Sequence, residues 1–254
     1  MWVDDFGGHA VKMKPAIYQA IIREAHKHGI RAAAHLYYLE DAHLLVDAGL
    51  DIIAHSIRDK EIDDGLLKEM KEKGVVYIPT LTRDEFTYIY ADKPGWLDDP
   101  FFKASLEPGV YDMISSKSYQ EKIKNSPDYQ KNKHAVEIAM INLKKIYNAG
   151  ILVALGTDSG AEPVRAQGFS EQRELELMVN AGLTPMQAIR VGTRNAAICL
   201  KINNRYGELA PGKIADFIVL SANPEKDIRN TRKIESVWKN GAEVNRGPLS
   251  DQQR

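Results

Sequence analysis

The chain has a single cysteine, Cys199, so no disulfide can form within it and no cysteine cluster can hold a metal. Standing in Ala-Ala-Ile-Cys-Leu at 196–200, that thiol reads as a small buried hydrophobe. No apolar run reaches about eighteen residues, which excludes a helical membrane span. Excess basic charge is missing too: 34 Lys and Arg stand against 35 Asp and Glu, leaving no basic stripe for nucleic acid. No Gly-x-Ser-x-Gly elbow offers a serine nucleophile. The Asp-Ser-Gly at 158–160 has no second copy with which to share a proton, so aspartic-protease chemistry is excluded. Met-Trp-Val-Asp-Asp at 1–5 reads as the tail of a strand rather than as a leader. The expectation is therefore a chain that begins inside a larger gene product. Its compartment stays open: cytoplasmic is favoured, with periplasmic or secreted placements left if a leader lies upstream.

What is present is enough for one substantial core or two modest ones: 254 residues, 44% hydrophobic and 27% charged. Up to about residue 200, helical and strand-like stretches alternate. Helical spacing over 15–28, 39–48 and 62–73 ends each time on a glycine suited to a C-cap, Gly29, Gly49 and Gly74. Short apolar runs at 30–35, 51–55 and 75–80 read as the intervening strands. A helix over 134–149, a strand over 151–157 and helices over 169–181 and 184–200 complete the series, the last opened by Thr184 and Pro185. One strand plus helix recurs every 20–25 residues or so, a period that suits a compact β/α barrel.

Residues 81–129 interrupt that rhythm with aromatics and prolines, among them Phe86, Tyr90, Trp96, Pro100 and Phe102. Such an insertion forms either a lid or substrate wall, or a surface excursion packed on itself. Beyond 200 the text changes: 207–220 and 234–244, with a turn at Asn240-Gly241, read as short antiparallel strands, and 247–254 as a frayed tail.

Three strand ends carry chemistry. His35 closes Ala-Ala-His at 33–35, His55 closes Ile-Ala-His at 53–55, and Asp158 follows the strand over 151–157. Neutral imidazole and carboxylate are ligands for zinc and similar divalent ions. Adjacent parallel strands lie about 4.8 Å apart, so two neighbouring tips can share one ion. The alternative for each histidine taken singly is a core residue bonded to a carbonyl. His26 and His28 suit a helix C-terminus, His43 and His134 lie within helices, and His9 sits in a Gly-Gly-His loop. Tyr37, Arg58 and Arg83 follow strand ends and are candidates for substrate binding, an arginine clamping a substrate carboxylate. The competing reading pairs Arg58 with Asp59 and Arg83 with Asp84 as local salt bridges.

The order His35, His55, Gly-Thr-Asp-Ser-Gly at 156–160 resembles the amidohydrolase superfamily, in particular its imidazolonepropionase-like and prolidase-like members. Ala-Gly-Leu-Thr-Pro-Met-Gln-Ala-Ile-Arg at 181–190, Thr-Arg-Asn-Ala-Ala at 193–197 and Gly-Glu-Leu-Ala-Pro-Gly-Lys-Ile-Ala-Asp at 207–216 strengthen the likeness. The resemblance implies an α/β fold. Residues 1–200 would be a partial (β/α)8 barrel of the TIM type, from strand 4 or 5 to strand 8, with its insertion at 81–129. Residues 201–254 would be a β-sandwich portion and tail. It further implies His35, His55 and Asp158 as metal ligands, Asp158 as the catalytic proton carrier, and one or two divalent ions, zinc first. The reaction would be hydrolysis of a carbon–nitrogen bond in a small-molecule substrate.

The departures are specific. The family's His-x-His pair is absent from any strand context, and its bridging lysine would stand just before Trp2. Five parallel strands cannot close an eight-stranded barrel, so raw edges are expected, with instability, homo-oligomerisation or inactivity if nothing supplies the rest. Two other classes remain as alternatives: a non-catalytic remnant binding a small molecule or partner through the insertion, and a phosphoesterase of the same superfamily.

Overall fold

The computed structural model describes residues 1–5, 8 and 10–245; His9 and the tail at 247–254 lie outside the described residues. Three strands, β1 (Ala33–His35), β2 (Ile52–Ala54) and β3 (Val76–Ile78), form a parallel sheet in that order. Two further segments flank it, Trp2 bridging His35 and Val153 bridging Tyr77, both parallel. Five segments therefore lie side by side in chain order. The register aligns His35 with Ala54 and Ala54 with Ile78, so the tips end nearly level.

Helices cover the sheet by burying one stripe each. Helix α1 (Pro15–Lys27) starts on proline and buries Tyr18 and Ile22, four residues apart and so on one face. Helix α2 (Leu39–Asp47) buries Ala42, Leu45 and Val46. Helix α3 (Asp64–Lys73) is capped by Asp63, which accepts from Leu66 N, and stops at Gly74, whose φ of 67° a side chain would resist. The main core joins these faces to Ile53, Tyr77, Leu143 and Met178.

The insertion comprises α4 (Leu81–Glu85), α5 (Pro100–Ala104), α6 (Val110–Ser115) and α7 (Lys117–Lys124). It packs on itself around Phe86, Tyr90 and Phe102, and it reaches Phe169 at the start of a later helix. Its first and last turns also line a cavity at the strand tips.

Helix α8 (Tyr129–Asn148) precedes the Val153 segment, and α9 (Phe169–Asn180) follows it. The expected strand over 151–157 is shorter than its apolar run implies. Only Tyr77 N to Leu152 O at 2.9 Å and Ala154 N to Tyr77 O at 3.0 Å tie it to β3, and Leu155 N turns instead to Val191 O. That carbonyl lies where the expected helix over 184–200 widens: α10 (Pro185–Arg190) passes through a π turn at Val191–Asn195 into α11 (Ala196–Cys199). Asn195 Nδ2 from the same turn donates to Val153 O at 3.0 Å, so the bulge secures the sheet edge. Cys199 is buried, as its apolar neighbours predict.

A second sheet is antiparallel, β4 (Phe217–Leu220), β5 (Ile234–Lys239) and β6 (Ala242–Glu243), in that order. Asn240 and Gly241 both take positive φ, 53° and 79°, the backbone a two-residue hairpin demands.

Candidate active site

Strained backbone marks the tips of the parallel sheet. His55, Thr80 and Asp158 have φ of 72°, 50° and 57°, three of the five positive-φ residues other than glycine among the described residues. Each such residue costs about 1–3 kcal/mol and persists only where its surroundings over-determine it, which is typical of functional sites. Gly156 beside them is required by space: a Cβ there would meet Ile78 Cγ2 at 2.5 Å.

The sheet brings His35 and His55 together. Their ring centroids are 4.3 Å apart at an interplanar angle of 69°. His35 stacks on Trp2, and its Nε2 lies 2.9 Å from Asp4 Oδ2. His55 Nδ1 lies 2.7 Å from Thr80 Oγ1. Burial, with the neighbouring His35, Arg83, Arg58 and Arg165, pushes the His55 imidazole down to about 2, so it stays neutral and keeps a lone pair.

Asp158 stands apart from that pair. Its Oδ2 accepts from Arg165 Nη1 at 2.6 Å and faces Arg83 Nε at 3.9 Å. Glu171 holds the loop that carries it, accepting from Thr157 Oγ1 at 2.8 Å and Ser159 Oγ at 2.7 Å.

A cavity of about 170 Å³ opens beside the histidines, lined among others by His35, Tyr37, Arg58, Arg83, Asp84 and Lys131. Here the local pair expected for Arg58 is corrected. Asp59 instead accepts from Leu39 N at 2.7 Å and so secures the start of α2. Arg58 is buried, donates to Ser56 O at 2.7 Å, lies 3.3 Å from Asp84 Oδ1, and stacks its guanidinium over Tyr37 at 4.6 Å. The Arg83–Asp84 pair does form, Nη1 to Oδ1 at 2.6 Å. Two buried atoms on this wall, Arg83 Nε and Asp84 Oδ2, have no hydrogen-bond partner among the described residues. Buried orphans of this kind call for a ligand or a function.

The donor chemistry of the two imidazoles suits a divalent cation. One ring nitrogen of each is held by an oxygen, Asp4 for His35 and Thr80 for His55, which is how ligating histidines are oriented. Among the described residues, however, no three His, Cys, Asp or Glu side chains stand close enough to hold one ion. The described residues thus offer two nitrogen donors of such a site, with Asp158 committed to Arg165.

Sequence reasoning missed Asp4, Thr80 and Arg165. Thr80 was within reach, since it ends a strand in the same phase as His35 and His55. The other two lie on loops or beyond a strand end, where no periodicity singles them out.

Paired imidazoles at the C-terminal tips of parallel strands stand where α/β folds ordinarily build an active site. The chain belongs to the amidohydrolase family, whose profile matches residues 8–244. It is 26% identical to an ochratoxinase of Aspergillus niger over 243 residues, covering 93% of this chain and 42% of that protein. It is 39% identical to an imidazolonepropionase of Deinococcus deserti over 107 residues, 40% of this chain and 26% of that one. Among solved structures, a putative prolidase from Bifidobacterium longum superposes with a TM-score of 0.70 at 26% identity, covering 95% of this chain and 53% of that one. The chain therefore spans about half the length of these full-coverage relatives.

Proposed function

We propose that this protein hydrolyses a carbon–nitrogen bond, in an amide, cyclic amide or dipeptide, with a divalent metal, zinc first. The observation that carries the reading is the His35–His55 pair, 4.3 Å apart at adjacent parallel strand tips. Family membership and relatives that act on carbon–nitrogen bonds support it. On this reading the parallel arc, residues 1–200, is part of a (β/α)8 barrel, and residues 201–254 contribute to a β-sandwich.

His35 and His55 would hold the ion. Bound there, it would lower the pKa of water and polarise a carbonyl. Asp158, exchanged out of its pair with Arg165, takes the proton of the attacking water and returns it to the leaving amine. Arg83 lines the cavity and takes the substrate's carboxylate through its guanidinium, with Tyr37 and the Arg58 plane forming the wall. Lys131 adds positive charge at the rim.

The test is a panel of N-acyl amino acids, dipeptides, cyclic amides and phosphotriesters, assayed on the intact protein with added zinc. Turnover of carboxylate-bearing amides is expected. Turnover of phosphotriesters alone would sink the reading. One observation favours a second reading, a non-catalytic binding module: Asp158 is tied to Arg165 at 2.6 Å. Ligand binding in the cavity with no turnover of any amide would select it.

A further inference from the structure

We propose that Glu174 is a positioning residue for the candidate site, acting on His55 through Thr80; the proposal rests on the role given to His55 above. Glu174 is on α9 and wholly buried. Its Oε1 accepts from Leu81 N at 2.8 Å, and its Oε2 accepts from Thr82 N at 2.8 Å and Thr82 Oγ1 at 2.9 Å. These are the first two amides of α4, immediately after the tip of β3.

Helix starts are ordinarily capped from within, by the side chain of the N-cap residue. Thr80 holds that place for α4 and has a suitable hydroxyl, yet it makes no capping bond. Its Oγ1 points to His55 Nδ1 instead, at 2.7 Å. A threonine hydroxyl that capped the helix would be turned away from the imidazole. Glu174 takes over the capping from a distant helix, and this leaves the hydroxyl to the histidine.

The backbone supports the same division of labour. Thr80 sits at φ 50° and ψ 48°, a left-handed conformation that β-branched residues rarely adopt. Two amide bonds anchored directly after it supply the over-determination such strain needs. Glu174 is not among the residues lining the cavity, so it touches neither substrate nor reacting atoms.

The experiment compares Glu174→Gln, Thr80→Val and the double variant in the intact protein. The carboxamide nitrogen has no lone pair for Thr82 N, so one anchoring bond is lost at nearly constant volume. The first readout is the ¹⁵N spectrum of the His55 ring, recorded without metal or substrate. Both single variants are expected to shift its Nδ1 signal in the same direction. The second is kinetics: each single variant is expected to lose about tenfold in kcat with KM nearly unchanged, as misplacement by a fraction of an ångström does. The double variant should lose no more than the worse single one. Multiplying losses, or a His55 spectrum untouched by Glu174→Gln, would overturn the proposal. Should Glu174→Gln fail to fold, Thr82→Val removes only the hydroxyl bond to Oε2, and an unshifted His55 signal there overturns it equally. Absence of turnover in the wild type counts against the hydrolase reading alone, because the spectra decide the positioning role by themselves.

Discussion

Replacing Asn142 by leucine should destabilise the protein by about 3 kcal/mol, through three hydrogen bonds that hold the loop carrying Arg58. Asn142 is on α8 and has no exposed surface. Its Oδ1 accepts from Ile62 N at 2.8 Å, and its Nδ2 donates to Ile57 O and Lys60 O, each at 2.9 Å. Leucine keeps the branched outline but is bulkier and has neither donor nor acceptor, so three backbone groups lose their partner. Lys60 is exposed and water can reach its carbonyl, which leaves two groups to bear the loss. A buried group left unpaired costs about 1–3 kcal/mol, so two come to roughly 4, offset by about 1 for the apolar side chain gained. Measured against a total stability of about 5–15 kcal/mol, that is a large share. Urea unfolding followed by tryptophan fluorescence reads it as a lower midpoint at constant slope, and a thermal scan as a drop of about 6–12 °C. A midpoint within about 0.5 kcal/mol of wild type would refute the reasoning, since it would mean the loop's polar groups find other partners. Because Arg58 is in that loop, KM for carboxylate-bearing substrates should rise in parallel.

Gly156→Ala puts a methyl group 2.5 Å from Ile78 Cγ2, so a loss of about 1–3 kcal/mol is expected from overpacking; calorimetry showing an unchanged midpoint would contradict it. His35→Ala and His55→Ala should each weaken zinc binding at least about a hundredfold in titration calorimetry, and wild-type affinity in either variant would remove that residue from the metal site. Arg83→Gln is expected to raise KM about tenfold for substrates with a carboxylate and leave those without one unchanged; equal effects on both would dismiss the clamp. Burial pushes the Glu174 carboxyl up to about 8 from an ordinary 4.5, against the three donors that favour its ionised form. A folded-state value above the unfolded one gives stability that is complete below about pH 4.5 and declines as pH climbs toward 8, by at most about 1.4 kcal/mol per pH unit. The midpoint gap between wild type and Glu174→Gln should therefore change in that window in the direction that favours the variant at high pH; parallel curves would show that Glu174 is ionised throughout.

The strand tips were legible because their signal is local. An apolar run that ends on His35 or His55 needs only a period of two residues and a buried sheet, and both tips fall where that reasoning puts them. The glycine stops after α1, α2 and α3 were legible for the same reason: positive φ at Gly29, Gly49 and Gly74 is a backbone demand that few other residues meet. The partner of Arg58 was not. Asp59 is next in sequence, but its carboxylate is taken by the amide of Leu39, and the guanidinium reaches Asp84 across the cavity instead. Nothing in a linear pattern tells which of two nearby carboxylates will be desolvated beside a given cation.

By itself, then, the order of residues determined the alternation of elements, the family likeness, and which imidazoles stand at strand ends, since each depends on contacts within a turn or along one strand. Folding in three dimensions decided the remainder: that His35 and His55 meet at 4.3 Å, that Asp158 rests on Arg165, and that Thr80 keeps its hydroxyl for His55 because Glu174 caps its helix. Charge pairing and capping across long stretches of chain are settled by which groups the packed core shuts away from water, and that is a property of the whole fold.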